Sequence, residues 1–196
     1  MTGWRAAWTV ARVWGVRQVV AALAGTAVLA TLWQGRIAVP MRRDVAEMIW
    51  PLAPCLLAFT VPSVAARAWT AEERVAPRSG WLHRLAFVGG VTGLAAAACA
   101  ALAVLHPFSV LARNTAFLVG LALTGAVLLP ASARWVPPVM VPISMWLLGG
   151  RPVGLEPAGW AVLLHDGDSA VASWAAAVSF AVGLGLYVAR TRPIAE

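Results

Sequence analysis

Lysine is absent from this chain of 196 residues, tyrosine occurs once, cysteine twice, and charged side chains make up only 12% of it. A soluble domain carries about twice that share, near 25%. So little charge beside 61% hydrophobic residues and a mean hydropathy of +0.78 excludes a disordered chain and an ordinary soluble enzyme. A chain this short cannot hide that much apolar surface in one core. Other things are missing too. No Gly-rich phosphate loop ending in Lys-Ser or Lys-Thr is present, so the chain has no P-loop with which to hydrolyse ATP. No serine sits in a nucleophile elbow. Cys55 and Cys99 lie within apolar runs without Cys-x-x-Cys or Cys/His spacing, and read as small buried hydrophobes.

What is present is a series of apolar runs separated by arginines. About 20 apolar residues cross a bilayer, and six runs approach that length: 13–33, 45–66, 85–105, 115–133, 136–149 and 169–189. They are continuously apolar, whereas barrel strands alternate over about ten residues. The expected fold is an all-α polytopic membrane protein with about six transmembrane helices in a single transmembrane domain over 1–196. The net charge of +7 comes from 15 arginines lying between these runs. That is a topology signal, not a nucleic-acid footprint, because cationic residues collect on the cytoplasmic side. With both termini inside, ten arginines fall on the inner side and five on the outer, which predicts both termini cytoplasmic in the cell membrane. The first outer loop runs against the trend with Arg36, Arg42 and Arg43, partly offset by Asp44 and Glu47.

Trp4, Trp8 and Ala11 share a helical stripe with Arg5 and Arg12 off it. Two readings stand for this stretch: an interfacial helix on the inner surface, or a longer first span with a ragged end. Residues 67–84, RAWTAEERVAPRSGWLHR, are the longest polar stretch. Residues 151–168 contain GWAVLLH, too short to cross and too apolar for a free loop, which predicts a short re-entrant or interfacial outer segment. Asp168 and Ser169 are expected to cap the sixth helix. His106-Pro107 reads as a loop terminus, and His165, Asp166 and Asp168 as turn and cap chemistry, not a metal site, since three near-adjacent side chains diverge. The small residues of 86–103 predict close packing within the bundle. The span interiors read as almost bare of ionisable groups, which argues against a proton-coupled carrier. Prolines at 51, 54, 62, 130, 137, 138 and 142 predict bent helices, found both in moving paths and in static bundles.

This layout resembles the membrane subunit of type-2 ABC exporters, the ABC-2 permease family. Glu72-Glu73-Arg74 after the second run, then Arg78, Arg84 and Gly89-Gly90, resemble the family's inner loop and the small residues that open its third span. VPPVMVPISMWLLGGRPVG, residues 136–154, resembles its Pro-rich fifth span. The resemblance implies a permease subunit that moves a hydrophobic or amphipathic substrate. It implies a separate cytoplasmic ATP-binding subunit as partner, a second permease subunit, and no cofactor or catalytic set in this chain. It also implies that Trp69, Glu72, Glu73, Arg74, Arg78 and Trp81 dock the ATPase. The alternative is a non-transporting membrane scaffold, or an assembly or immunity subunit of a larger complex. A small membrane enzyme is disfavoured, because no catalytic set is visible.

Overall fold

A computed structural model describes residues 16–189 apart from 33–35, 40–41, 49, 62–63, 66–79, 151 and 153–154. The stretch expected to lie on the inner surface, residues 1–15, falls outside them. The helical architecture expected from the apolar runs holds. The helices are α1 (Val16–Leu32), α2 (Trp50–Val61), α3 (Gly80–Leu102), α4 (Phe108–Leu128), α5 (Val136–Gly149) and α6 (Ala170–Ala189). Three helical stretches are long and apolar enough to cross a membrane: Arg84–Leu102, Phe108–Leu128 and Ala170–Ala189. α1, α2 and α5 are shorter apolar helices. α5 has 14 residues and rises about 21 Å, short of a hydrocarbon core of about 30 Å.

One element lay outside the sequence reading. Strands β1 (Arg36–Val39) and β2 (Arg42–Met48) pair antiparallel, with Ile37 opposite Glu47 and Ala38 opposite Ala46, and the register breaks between Ala38 and Val39. The expected second span, 45–66, therefore starts later. Residues 42–48 belong to the hairpin, and the helical segment begins at Trp50 with a 3-10 turn through Pro51. Pro51 sits where a missing N–H costs nothing, because the first N–H groups of a helix have no partner within it.

α4 forms the centre. In its spanning stretch 78% of the residues are buried, against 33% for α3 and 22% for α6. The core is built around Leu118, Val119, Ala122 and Leu123 of α4, with Leu57, Ala58 and Val61 of α2 and Val88 and Val91 of α3 packed on it. α4 makes its most extensive packing with α6. The two backbones meet at Gly120 and Gly183, where a Cβ on either glycine would collide with the backbone of the other helix, and Ser179 Oγ donates to the Phe117 carbonyl at 3.0 Å. Glycine is used here for close approach. The glycines of α3 behave differently. Gly89, Gly90 and Gly93 are exposed, and a Cβ on any of them would meet nothing within 4 Å. The expectation that the small residues of 86–103 pack within the bundle holds for Ala95 and Cys99, which are buried, and is corrected for these glycines, which lie on its outside.

α5 and α6 match the last two expected runs closely. Pro137 and Pro138 lie in the first turn of α5, where donors are unpartnered anyway, and Pro142 is buried inside it. Ser169 Oγ accepts from the Ala172 N–H at 3.4 Å, the N-cap arrangement expected for α6. The segment between them is less helical than the sequence suggested. It holds one 3-10 turn, Val162–Leu164. Ala161, Val162 and Leu163 are buried in the core while Trp160 is half-exposed.

Candidate functional site

Of the six residues expected to form a docking surface, Trp69, Glu72, Glu73, Arg74 and Arg78 lie outside the described residues. Trp81 is the second residue of α3. What the structure does place is a buried polar cluster at the far end of α3, where α4 begins.

The cluster is built on α4. Its helix starts at Phe108, directly after His106-Pro107, so the fourth run begins seven residues earlier than the expected 115. Arg113 and Asn114, read from the sequence as outer-loop residues, are thereby carried into the helix. They are 7% and 0% exposed. The expectation of almost bare helix interiors is corrected at this point. A charge ends a hydropathy run, but a guanidinium can remain buried where carbonyls meet it.

Each polar group in the cluster finds a partner. Arg113 Nη1 and Nη2 donate to the backbone carbonyls of Asp166 and His165, and its Nε donates to Asn114 Oδ1 at 3.2 Å. Asn114 Nδ2 donates to the Pro51 carbonyl at 3.1 Å and to the Leu163 carbonyl at 3.0 Å. One turn of α4 thus ties together the start of α2 and the segment before α6. Thr115 Oγ1 bonds back to the Leu111 carbonyl at 2.7 Å and lies 3.5 Å from Cys99 Sγ. Beside them the ring of His106 stacks on Trp50, centroids 4.3 Å apart and planes 15° apart. Both are buried. The loop-terminus reading of His106 missed this contact. His165 Nε2 lies 3.2 Å from the Ala158 carbonyl.

This arrangement fixes three chain segments and offers no reactive set. The guanidinium and the amide face carbonyls, and none of these bonds in the cluster pairs a nucleophile with a base. Glu156, His165, Asp166, Asp168 and Ser169 line an open polar depression above it. No three His, Cys, Asp or Glu side chains are placed to share a metal ion among the described residues. The apolar pocket between α3, α4 and α6, lined by Thr92, Ala95, Cys99, Thr115, Val119 and Phe180, holds about 120 Å³. A drug-sized ligand needs roughly 300 Å³ or more.

At the opposite end of the bundle a second set of contacts gathers on α6. Tyr187 Oη donates to the Ala65 carbonyl at 3.1 Å, and Arg84 Nη1 donates to the Val188 carbonyl at 3.2 Å. The Tyr187 ring lies 6.3 Å from that of Phe87 at 49°. Tyr187 was legible only as the single tyrosine of the chain, and nothing in the sequence pairs it with residue 65. Comparison with protein-family models, curated proteins and solved structures finds no match for this chain.

Proposed function

We propose that the chain is a permease subunit of an ABC-type export complex. It resides in the cell membrane as a multi-pass protein with both termini cytoplasmic, and it moves a hydrophobic or amphipathic substrate. ATP is bound and hydrolysed by a separate cytoplasmic subunit, because this sequence has no P-loop. The observation that supports the reading is the sequence position of the one long polar segment. In sequence order residues 67–84, with Glu72-Glu73-Arg74, follow α2 and overlap the start of α3, where the ABC-2 resemblance implies the ATPase contact. The sparse cover on α3 and α6 leaves surface on which a path between two permease subunits can be built.

The test is co-purification in mild detergent, with identification of bound proteins. The wild-type chain is expected to bring down a P-loop ATPase. Glu72→Arg with Glu73→Arg adds positive charge on the inner side, so topology is retained, while like charges at a docking surface cost affinity. ATPase recovery is expected to fall at least ten-fold, with Arg42→Gln/Arg43→Gln as a control that keeps it. Undiminished recovery with the Glu-to-Arg pair removes these acids from the contact. No ATPase with the wild-type chain replaces the exporter by the scaffold reading.

A further inference from the structure

Thr26, Thr31, Thr60 and Thr115 each donate the side-chain hydroxyl to a carbonyl about one turn earlier in the same helix. A hydroxyl inside a helix is satisfied this way where no water reaches it. Thr92, in the middle of α3, departs from the pattern. Its Oγ1 is buried and has no hydrogen-bond partner. Protein interiors rarely leave such a group alone, because a buried hydroxyl without a partner is costly.

Thr92 lines the cavity of about 120 Å³ between α3, α4 and α6. Most of the remaining wall is apolar, with Ala95 of α3, Ala112 and Ala116 of α4, and Phe180 of α6. Alanine on both facing helices leaves the space. The other hydroxyl and the thiol in the wall are already engaged, since Thr115 Oγ1 donates to the Leu111 carbonyl and lies 3.5 Å from Cys99 Sγ. Thr92 Oγ1 is therefore the polar atom left for an occupant.

Three physical limits define that occupant. A buried water needs roughly two to four polar partners, and this wall supplies a single free one. An apolar cavity of about 150 Å³ stays dry and takes up benzene, so a body of about one ring is the upper limit here. A charged group would lose its hydration with no counter-charge in the wall. We propose that this cavity binds a small neutral hydroxyl compound, an alcohol or phenol of about one ring, with its hydroxyl on Thr92 Oγ1 and its apolar body between the alanines and Phe180. The site lies inside one chain and stands whether or not that chain works in an exporter.

Phenol and toluene are suitable probes, because they match in shape and differ in the hydroxyl. The full chain, isotope-labelled in its alanine methyls, is titrated with each in detergent micelles and followed by NMR. Phenol is expected to give saturable shifts at Ala95, Ala112 and Ala116, while the exposed Ala177 and Ala181 only drift with the amount dissolved in the micelle. Thr92→Val removes the hydroxyl and keeps the shape. It is expected to raise the half-saturating phenol concentration roughly three- to ten-fold, as for one lost hydrogen bond, and to leave that of toluene within about two-fold. Each probe is compared with itself across variants, so its partition into the micelle cancels. Thr92→Ser keeps a hydroxyl and recovers most of the phenol affinity, and Ala116→Leu fills the space and abolishes saturation by both probes. Equal weakening of phenol and toluene by Thr92→Val, or weakening of neither, removes the hydroxyl from recognition and overturns the proposal. Drift without saturation at Ala95, Ala112 and Ala116 overturns the site altogether. So do contacts from detergent chains to these methyls that neither probe displaces, which would make an acyl chain the occupant.

Discussion

At one end of the bundle, Arg113 and Asn114 are buried one and a half turns into a helix and between them donate to four backbone carbonyls on two other chain segments. At the other, some 27 Å away along α3 at 1.5 Å per residue, Arg84 donates to the Val188 carbonyl and Tyr187 to the Ala65 carbonyl. Both ends solve the same problem, which is how to satisfy backbone carbonyls with side-chain donors from another segment. They solve it at different strength. A network whose members are all partnered is rigid, and losing one member leaves several buried groups without partners. Two independent bonds to one helix turn can be lost singly. The first end is a shared network, and the second a pair of separate contacts on one helix turn.

The largest expected effect tests the rigid end. Asn114→Leu keeps roughly the volume but removes both amide donors, leaving the Pro51 and Leu163 carbonyls without partners. Each unsatisfied buried group costs about 1–2 kcal/mol, so a loss of roughly 2–4 kcal/mol is expected in thermal unfolding in detergent. Protease cleavage within 150–168 should rise at the same time, because that segment loses one of its ties to α4. If cleavage there is unchanged, the two ends do not differ in the way described.

How far this was legible in the sequence divides along the same line. The last two helices are read almost to the residue from apolar runs 136–149 and 169–189, and the Ser169 cap from its residue type. The clusters at both ends were not. Apolar periodicity places helices, but a hydropathy run stops at the first charge and so ejected Arg113 and Asn114 from α4. His106-Pro107 was the available signal. A helix that begins directly after that proline necessarily includes residues 113 and 114. The bonds of Tyr187 and Arg84 join positions more than 100 apart in sequence, and no local rule reaches that far. The hairpin was lost in the other direction. Val45, Ala46 and Met48 were counted into an apolar run, although Ile37 and Val39 alternate as a strand does.

A middle-sized effect compares the two arginines directly. Arg113→Gln removes a charged donor that serves two carbonyls and the Asn114 side chain, and is expected to cost roughly 2–3 kcal/mol. Arg84→Gln removes one bond to the Val188 carbonyl and the attraction to the end of α6, about 1 kcal/mol. Both are read from the same unfolding curves. Equal losses would make the ends equivalent, and a larger loss at Arg84 would reverse their roles.

The smallest expected effect concerns α3, which joins the two ends. Gly90 is helical and exposed, with open space where a Cβ would stand. Glycine in a helix interior costs roughly 0.5–1 kcal/mol relative to alanine, because its backbone loses more freedom on folding. Gly90→Ala is therefore expected to raise stability by about that amount. The matching change at Gly120, where a Cβ collides with the α6 backbone, is expected to lower it by roughly 1–3 kcal/mol as an overpacked contact. The opposite signs follow from geometry alone, since both substitutions add one methyl group to an apolar helix. A loss at Gly90 equal to that at Gly120 would mean that another protein surface lies against α3 in the membrane. The two glycines would then serve the same purpose, one between helices of this chain and the other towards a neighbour.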